Sequence, residues 1–215
     1  MTIKQYGIIG KPLSHSLSPL LHNVWFKKNK IKANYTLIEI EKNQIKDVIN
    51  KIREKKLHGI NVTVPYKQKV IPYLDLIIND AEKTSSINTI YLSEEDKIVG
   101  ENTDVYGFEQ SFINKLNNES LVEKNFLILG AGGVTSSLIY ALEKKKIKKI
   151  FISNRTLQKA KNIKKIFPFI EIILWEKIFE ATKEMDIIIN ATSLGMKNSP
   201  DFIKLIDKFK ASLIY

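Results

Sequence analysis

Short apolar runs alternate along the chain with stretches where apolar residues recur every three or four positions, the rhythm of strands followed by amphipathic helices. In the first half the strand-like runs fall at residues 5–10, 35–40, 59–64, 86–92 and 97–102. Ser18-Pro19 predicts a helix start, with Ser18 as N-cap and proline at the first helical position, running to about residue 30. A second helix fits 43–56, and a third begins near Pro65. A helix capped by Asp104 runs to about residue 117. Strands then fit 125–129, 149–153, 171–175, 185–190 and 211–215, separated by helices over 132–145, 157–167, 177–183 and 201–208. Repeated strand–helix units predict parallel sheets with right-handed crossovers. The fold class is α/β, in two domains, 1–103 and 104–215.

Composition narrows the chemistry. The 215 residues contain no cysteine, which excludes a disulfide framework, a thiolate nucleophile and any Cys-ligated metal. His15, His22 and His58 lack metal-ligand spacing, so no metal is expected. Apolar runs such as Phe126-Leu-Ile-Leu129 fall far short of the roughly 20 residues of a membrane span. The N-terminus has no signal-peptide plan, and a cytoplasmic protein is expected. The net charge of +11 raises the question of nucleic acid, but all the basic residues except Arg53 and Arg155 are lysines, spread over the helical segments. Nucleic-acid readers rely on arginine forks. The lysines read instead as solvated faces, with a positive field that helps capture small anions and phosphorylated cofactors.

The densest motif is Gly130-Ala131-Gly132-Gly133-Val134-Thr135, which follows an apolar strand and opens a helix. That is the setting in which a glycine turn binds a dinucleotide: Gly130 allows the tight turn, Gly132 lets backbone approach the pyrophosphate, and the helix N-terminus supplies N–H groups. Thr135 stands where the generic pattern has a third glycine. The next strand ends Ser153-Asn154-Arg155-Thr156, without the acid that binds a ribose 2′-hydroxyl. Arg155 stands where a 2′-phosphate would lie, and its fork suits one. NADP is favoured over NAD.

Further segments are Gly10-Lys-Pro-Leu-Ser-His-Ser16-Leu-Ser18-Pro19, Asn61-Val-Thr63-Val-Pro65-Tyr66-Lys67, Ser86-Ile-Asn88-Thr89 and Gly100-Glu-Asn102-Thr103-Asp104. With the glycine turn, Asn154-Arg155-Thr156 and Asn190-Ala191-Thr192-Ser193-Leu-Gly195-Met196, they run in the order found in shikimate dehydrogenases, and the chain resembles that family over essentially its whole length. The resemblance implies an N-terminal α/β substrate domain followed by a Rossmann-like NADP domain. It implies reversible, NADP-dependent reduction of 3-dehydroshikimate to shikimate, with Lys67 and Asp104 as the catalytic pair. Ser16 and Ser18 are then expected on the substrate carboxylate, and Asn61, Thr63 and Asn88 on ring hydroxyls. The expected cofactor contacts are Gly130, Ala131, Gly132, Gly133, Val134, Asn154, Arg155, Thr156, Ala191, Thr192, Ser193 and Met196. The expected partner is the small-molecule substrate, with no nucleic acid and no membrane, in a monomer or homodimer.

The chain departs from the family pattern in having Val105-Tyr106 before Gly107, and Ser136 where a basic residue is common. It is expected to be C-terminally shorter than the family, without the last elements of the NADP domain and without a glutamine that binds substrate. Two other readings are a dual quinate/shikimate dehydrogenase, whose NAD use Arg155 argues against, and a chain that keeps its ligand pockets without turnover.

Overall fold

The computed structural model describes residues 2–116, 121–147, 149–195, 208–209, 211 and 213–215. The chain divides into two compact units, Met1–Thr103 and Asp104–Tyr215. Residues 201–207 of the predicted helix over 201–208 lie outside the described residues, as does Met196, while the helix expected to run to residue 117 ends at Ser111 and gives way to a short 3-10 segment, Ile113–Lys115.

The first unit runs β1 (Lys4–Gly10), α1 (Ser18–Lys28), β2 (Ala33–Glu39), α2 (Ile45–Arg53), β3 (Gly59–Val62), β4 (Leu76–Ile77), α3 (Asp80–Thr84), β5 (Thr89–Leu92) and β6 (Ile98–Glu101). Its six strands lie in the order β2-β1-β3-β5-β6-β4. β1 pairs in parallel with β2 and β3, as the strand–helix rhythm predicts. The β3–β5 and β5–β6 pairs are antiparallel, which corrects the expectation of a purely parallel sheet. For the β5–β6 pair the reason is local: only residues 93–97 join the two strands, closed by the Ser93 N–H on the Lys97 carbonyl at 2.8 Å, and no parallel crossover fits in so few residues. The helix expected from Pro65 is replaced by turns and a short 3-10 segment, Ile71–Tyr73. Pro72 lacks the N–H an α-helix interior needs and clashes with the preceding turn.

Helix α2 presents Ile45, Val48, Ile49 and Ile52 at helical spacing, and all four are buried against Ile60, Ile90 and Ile98 of the sheet. Helix α1 behaves differently. Its inner side holds Asn23, whose amide bonds both the N–H and the carbonyl of Tyr35 at 2.9 Å, and its outer side leaves Leu20, Leu21, Val24 and Trp25 exposed.

The second unit runs α4 (Asp104–Ser111), β7 (Phe126–Leu129), α5 (Thr135–Lys144), β8 (Ile150–Ser153), α6 (Leu157–Ile166), β9 (Glu171–Ile172), α7 (Ile178–Ala181), β10 (Ile187–Asn190) and β11 (Leu213–Ile214). The strand order β11-β10-β7-β8-β9 is parallel throughout. The central strand β7 shows why a continuous apolar run suits this place. Phe126 and Ile128 pack into one core with Ile139 and Leu142 of α5, while Leu127 and Leu129 pack into the other with Ile178 and Ile188, alongside the half-buried Trp175.

Asp186, just before β10, ties that strand to the start of β7. Its carboxylate accepts the Asn125 N–H and the Lys124 ammonium, both at 2.9 Å. The Asn125 N–H first, and Lys124 second, hold the Asp186 carboxyl below the usual carboxylate range. A lowered folded-state pKa gives stability that is present above the unfolded value near 3.9 and lost as pH falls through the folded value. Asp186→Asn is therefore expected to cost about 1 kcal/mol at neutral pH, roughly 2–4 °C in melting temperature. Thermal melts from pH 6 to pH 3 should show the gap between variant and parent closing on acidification, whereas a constant gap would sink the assignment.

Candidate active site

In the first unit the polar motifs gather at the ends of β1 and β3. The Thr63 N–H bonds the Ile9 carbonyl at 2.9 Å, and the Lys11 N–H bonds that of Val64 at 3.1 Å, so the segments after the two strands are stitched together. Gly10 is required by this approach, because a Cβ there would stand 2.5 Å from Thr63 Cγ2 and 3.0 Å from the Val64 oxygen. The loop after β1 is held by the Glu39 carboxylate, which accepts the Leu13 N–H at 2.8 Å, and by a Lys11–Glu41 ion pair. It delivers Ser16 and Ser18 to the start of α1. Ser18 is the first helical residue rather than the N-cap, a place taken by Leu17, and it is the Ser16 hydroxyl that accepts the Ser18 N–H at 3.3 Å. Pro19 fixes the backbone of the first turn, and the helix has no side-chain cap at Leu17.

Asn61 lies on β3 and Asn88 just before β5, and backbone bonds join them. The Asn88 carbonyl accepts the Val62 N–H at 2.8 Å and the Asn61 amide at 3.1 Å. The Asn88 side chain bonds Thr103 twice, accepting its N–H and donating to its hydroxyl, both at 3.0 Å. The Lys67 carbonyl accepts the Ile87 N–H at 2.9 Å, so the backbone of Lys67 runs beside the Asn88 segment. Asn61 and Asn88 are thus bonded directly, the backbone of Lys67 is tied to the residue before Asn88, and Thr63 follows the end of β3. Asp104, the other half of the expected catalytic pair, opens α4 as the first residue of the second unit. Tyr35 also bonds Asn61, its hydroxyl donating to Oδ1 at 2.7 Å. No motif in the sequence marks Tyr35, which reads there only as the first residue of a strand.

In the second unit the glycine turn lies between β7 and α5. Gly130 has φ +110°, and a Cβ there would meet the Ala191 oxygen at 2.7 Å, so both conformation and space demand glycine. Thr135 is fully buried and braces the turn: its hydroxyl accepts the Gly132 N–H at 3.1 Å and donates to the Gly130 carbonyl at 3.2 Å. The third position of the pattern therefore closes the turn with a side chain rather than with a glycine. Asn154 braces the next step, accepting the Ala131 N–H at 3.1 Å and donating to the Thr156 carbonyl at 2.9 Å. Gly133 and Val134 complete the turn, with Val134 as the N-cap of α5. Arg155 is exposed at the start of α6, with no hydrogen bond or ion pair to any described residue. After β10, Asn190 Oδ1 accepts from the Thr192 N–H at 3.1 Å and the Thr192 hydroxyl at 2.6 Å, and the Ala191 N–H bonds the Leu129 carbonyl at 2.8 Å. Ala191, Thr192 and Ser193 thereby sit at the end of the strand beside the glycine turn.

The turn has the form a dinucleotide needs: a left-handed glycine where backbone is crowded, and Gly132 with open space in which a Cβ would meet only the Ala191 oxygen, at 3.9 Å. Gly130→Ala is expected to weaken NADPH binding more than tenfold and to lower the melting temperature by several degrees, since a left-handed alanine costs about 1–3 kcal/mol before the clash is counted. Fluorescence titration with NADPH alongside a thermal melt checks both, and unchanged affinity would remove the turn from the cofactor site.

A parallel sheet whose strand order reverses between β7 and β10, with a glycine turn beside that switch point, is the plan of a dinucleotide-binding oxidoreductase domain. The first unit adds a patch of amides, hydroxyls and one lysine. Residues 8–90 match the shikimate dehydrogenase substrate binding domain, and residues 113–197 match the family described as shikimate / quinate 5-dehydrogenase. The shikimate dehydrogenase (NADP(+)) of Pelagibacter ubique is 46% identical over 99% of this chain and 79% of its own length. The crystal structure of shikimate dehydrogenase from Aquifex aeolicus superposes with a TM-score of 0.84 at 33% identity, covering 98% of this chain and 85% of that one. A shikimate dehydrogenase solved in complex with NADP+ gives a TM-score of 0.77 at 30% identity, over 91% of this chain and 68% of that one. The chain belongs to the shikimate dehydrogenase family.

Proposed function

We propose that this chain catalyses the reversible NADP-dependent reduction of 3-dehydroshikimate to shikimate, as a cytoplasmic enzyme of aromatic amino-acid biosynthesis acting as a monomer or homodimer. The first unit is the substrate domain and the second the NADP domain. The observation that supports the reading is that the backbone of Lys67 bonds the segment carrying Asn88, whose carbonyl accepts the Asn61 amide. A small ring with one carboxylate and several hydroxyls calls for many neutral hydrogen-bond partners and one cation at the reacting oxygen.

Ser16 and Ser18, at the N-terminus of α1, receive the carboxylate, where the N–H groups of the first turn favour an anion. Asn61, Thr63 and Asn88 receive ring hydroxyls. Lys67 stabilises the negative charge that develops on the substrate oxygen during reduction and delivers a proton to it, and Asp104 orients the reacting group. The turn from Gly130 to Val134 holds the pyrophosphate of NADP, the segment Asn154-Arg155-Thr156 holds its 2′-phosphate end, and Ala191, Thr192, Ser193 and Met196 border the nicotinamide. NADP, when bound, supplies or accepts the hydride.

The test is the fall in NADPH absorbance on adding 3-dehydroshikimate, compared with NADH. Turnover with NADPH, and much slower turnover with NADH, is the expected result. Absence of turnover with either cofactor would overturn the reading.

A further inference from the structure

Asn61 spends most of its hydrogen-bonding capacity within the protein. Its Nδ2 donates to the Asn88 carbonyl at 3.1 Å and to the Thr89 hydroxyl at 3.3 Å, while its Oδ1 accepts the Tyr35 hydroxyl at 2.7 Å. An amide has two hydrogens to donate and two lone pairs to offer. Both hydrogens of Asn61 are taken by these neighbours and one lone pair is filled, which leaves a single acceptor site on Oδ1.

Tyr35 is itself held in place from three directions. It is 3% exposed. His22 stacks on its ring at 4.2 Å with the planes 2° apart. The Asn23 amide clamps its backbone on both sides. The sheet sets the reach: Tyr35 of β2 and Asn61 of β3 flank β1, where their partners are Tyr6 and Ile8, so the two side chains stand on one face, one pleat apart. Burial pushes the Tyr35 phenol up, which keeps it a donor across the ordinary assay range.

We infer that Tyr35 is a positioning residue for substrate recognition, fixing the Asn61 amide so that it meets the ligand as a hydrogen-bond acceptor. The inference deepens the proposed function and rests on Asn61 being a substrate contact. What Asn61 then reads is a hydroxyl that still carries its hydrogen, not a carbonyl or ether oxygen. Without the Tyr35 hydroxyl the amide is held from its Nδ2 side alone, and Oδ1 is no longer fixed at the angle that meets that hydrogen.

The experiment measures shikimate affinity by calorimetry and KM by steady-state kinetics for the parent chain, Tyr35→Phe, Asn61→Ala and the double variant. Tyr35→Phe keeps the ring and its stack on His22. It is expected to weaken shikimate about five- to tenfold while leaving NADP KM and kcat within about twofold. In the Asn61→Ala background the same substitution is expected to change nothing further, because the two residues act as one unit. A purely structural role for Tyr35 would instead lower the melting temperature and the active fraction with shikimate affinity intact, and that result would overturn the inference. An equal loss in both backgrounds would overturn it too. If Asn61→Ala alone leaves shikimate affinity unchanged, the assignment of Asn61 fails and the inference falls with it. Should Tyr35→Phe not fold, His22→Ala removes the stacked ring without touching the phenol. It is expected to weaken shikimate about twofold in the parent and not at all with Asn61→Ala, and no change in either would count against the inference.

Discussion

Lys67→Ala is expected to lower kcat about a thousandfold, with the KM for shikimate within about threefold of the parent. A positioned proton donor contributes roughly 10²–10⁴ in rate, and stabilisation of the developing oxyanion falls in the same range. Neither effect is felt fully in the ground state, so the loss belongs in kcat. The substitution leaves the backbone of Lys67 in place, and with it the Ile87 N–H bond that joins this turn to the Asn88 segment. A fold change is therefore not the expected cause, and an unchanged melting curve would exclude it. Lys67→Arg separates the two roles, since a guanidinium keeps the charge but does not release a proton. If Arg restores most of the rate, charge dominates; if it stays near the alanine level, proton delivery does. A kcat within tenfold of the parent in Lys67→Ala would remove Lys67 from the chemistry.

Arg155→Gln is expected to raise the KM for NADP about thirty- to one-hundredfold and to leave the KM for NAD within about twofold. The physical case starts from an apparent misplacement. A cation at the start of a helix faces the positive end of the dipole and is disfavoured there by a few tenths of a kcal/mol. Arg155 occupies that place before α6, is exposed, and has no anionic partner among the described residues. A phosphate converts the same place into a favourable one, since both the guanidinium and the helix start then face an anion. Charge-assisted bonds to phosphate are worth about 1.5–3 kcal/mol, which sets the expected factor. Initial-rate kinetics with both cofactors decide the matter. An equal rise for NADP and NAD would mean that Arg155 supports the turn as a whole rather than reading the 2′-phosphate.

Much of the second unit is legible in the residues alone. The run Phe126-Leu-Ile-Leu129 ahead of three glycines can bury both faces of a strand and then turn sharply, and the structure does both with it. Arg155 stood out because arginine is so rare in this chain. The first unit is less readable. Nothing in the apolar rhythm distinguishes a strand that enters by a crossover from one that enters by a hairpin, and the antiparallel β5–β6 pair follows from the length of the link at 93–97. The helix expected after Pro65 failed for the opposite reason, a single Pro72 whose effect outweighs its neighbours. Brace residues are the least visible class. Thr135 and Tyr35 act through a hydroxyl that meets its partner only once the chain has folded. For Tyr35 that partner is 26 residues away, on a strand two places along the sheet.

The placement of the two tryptophans gives the molecule a built-in optical readout. Trp25 stands half-exposed on α1 in the first unit, and the half-buried Trp175 packs against the core of the second. A buried indole emits to the blue of an exposed one and shifts to the red when water reaches it. Trp25→Phe therefore leaves a chain whose emission follows the second unit alone, and Trp175→Phe one that follows the first. Titrating each with denaturant separates a molecule that unfolds in one step from one whose halves come apart in turn.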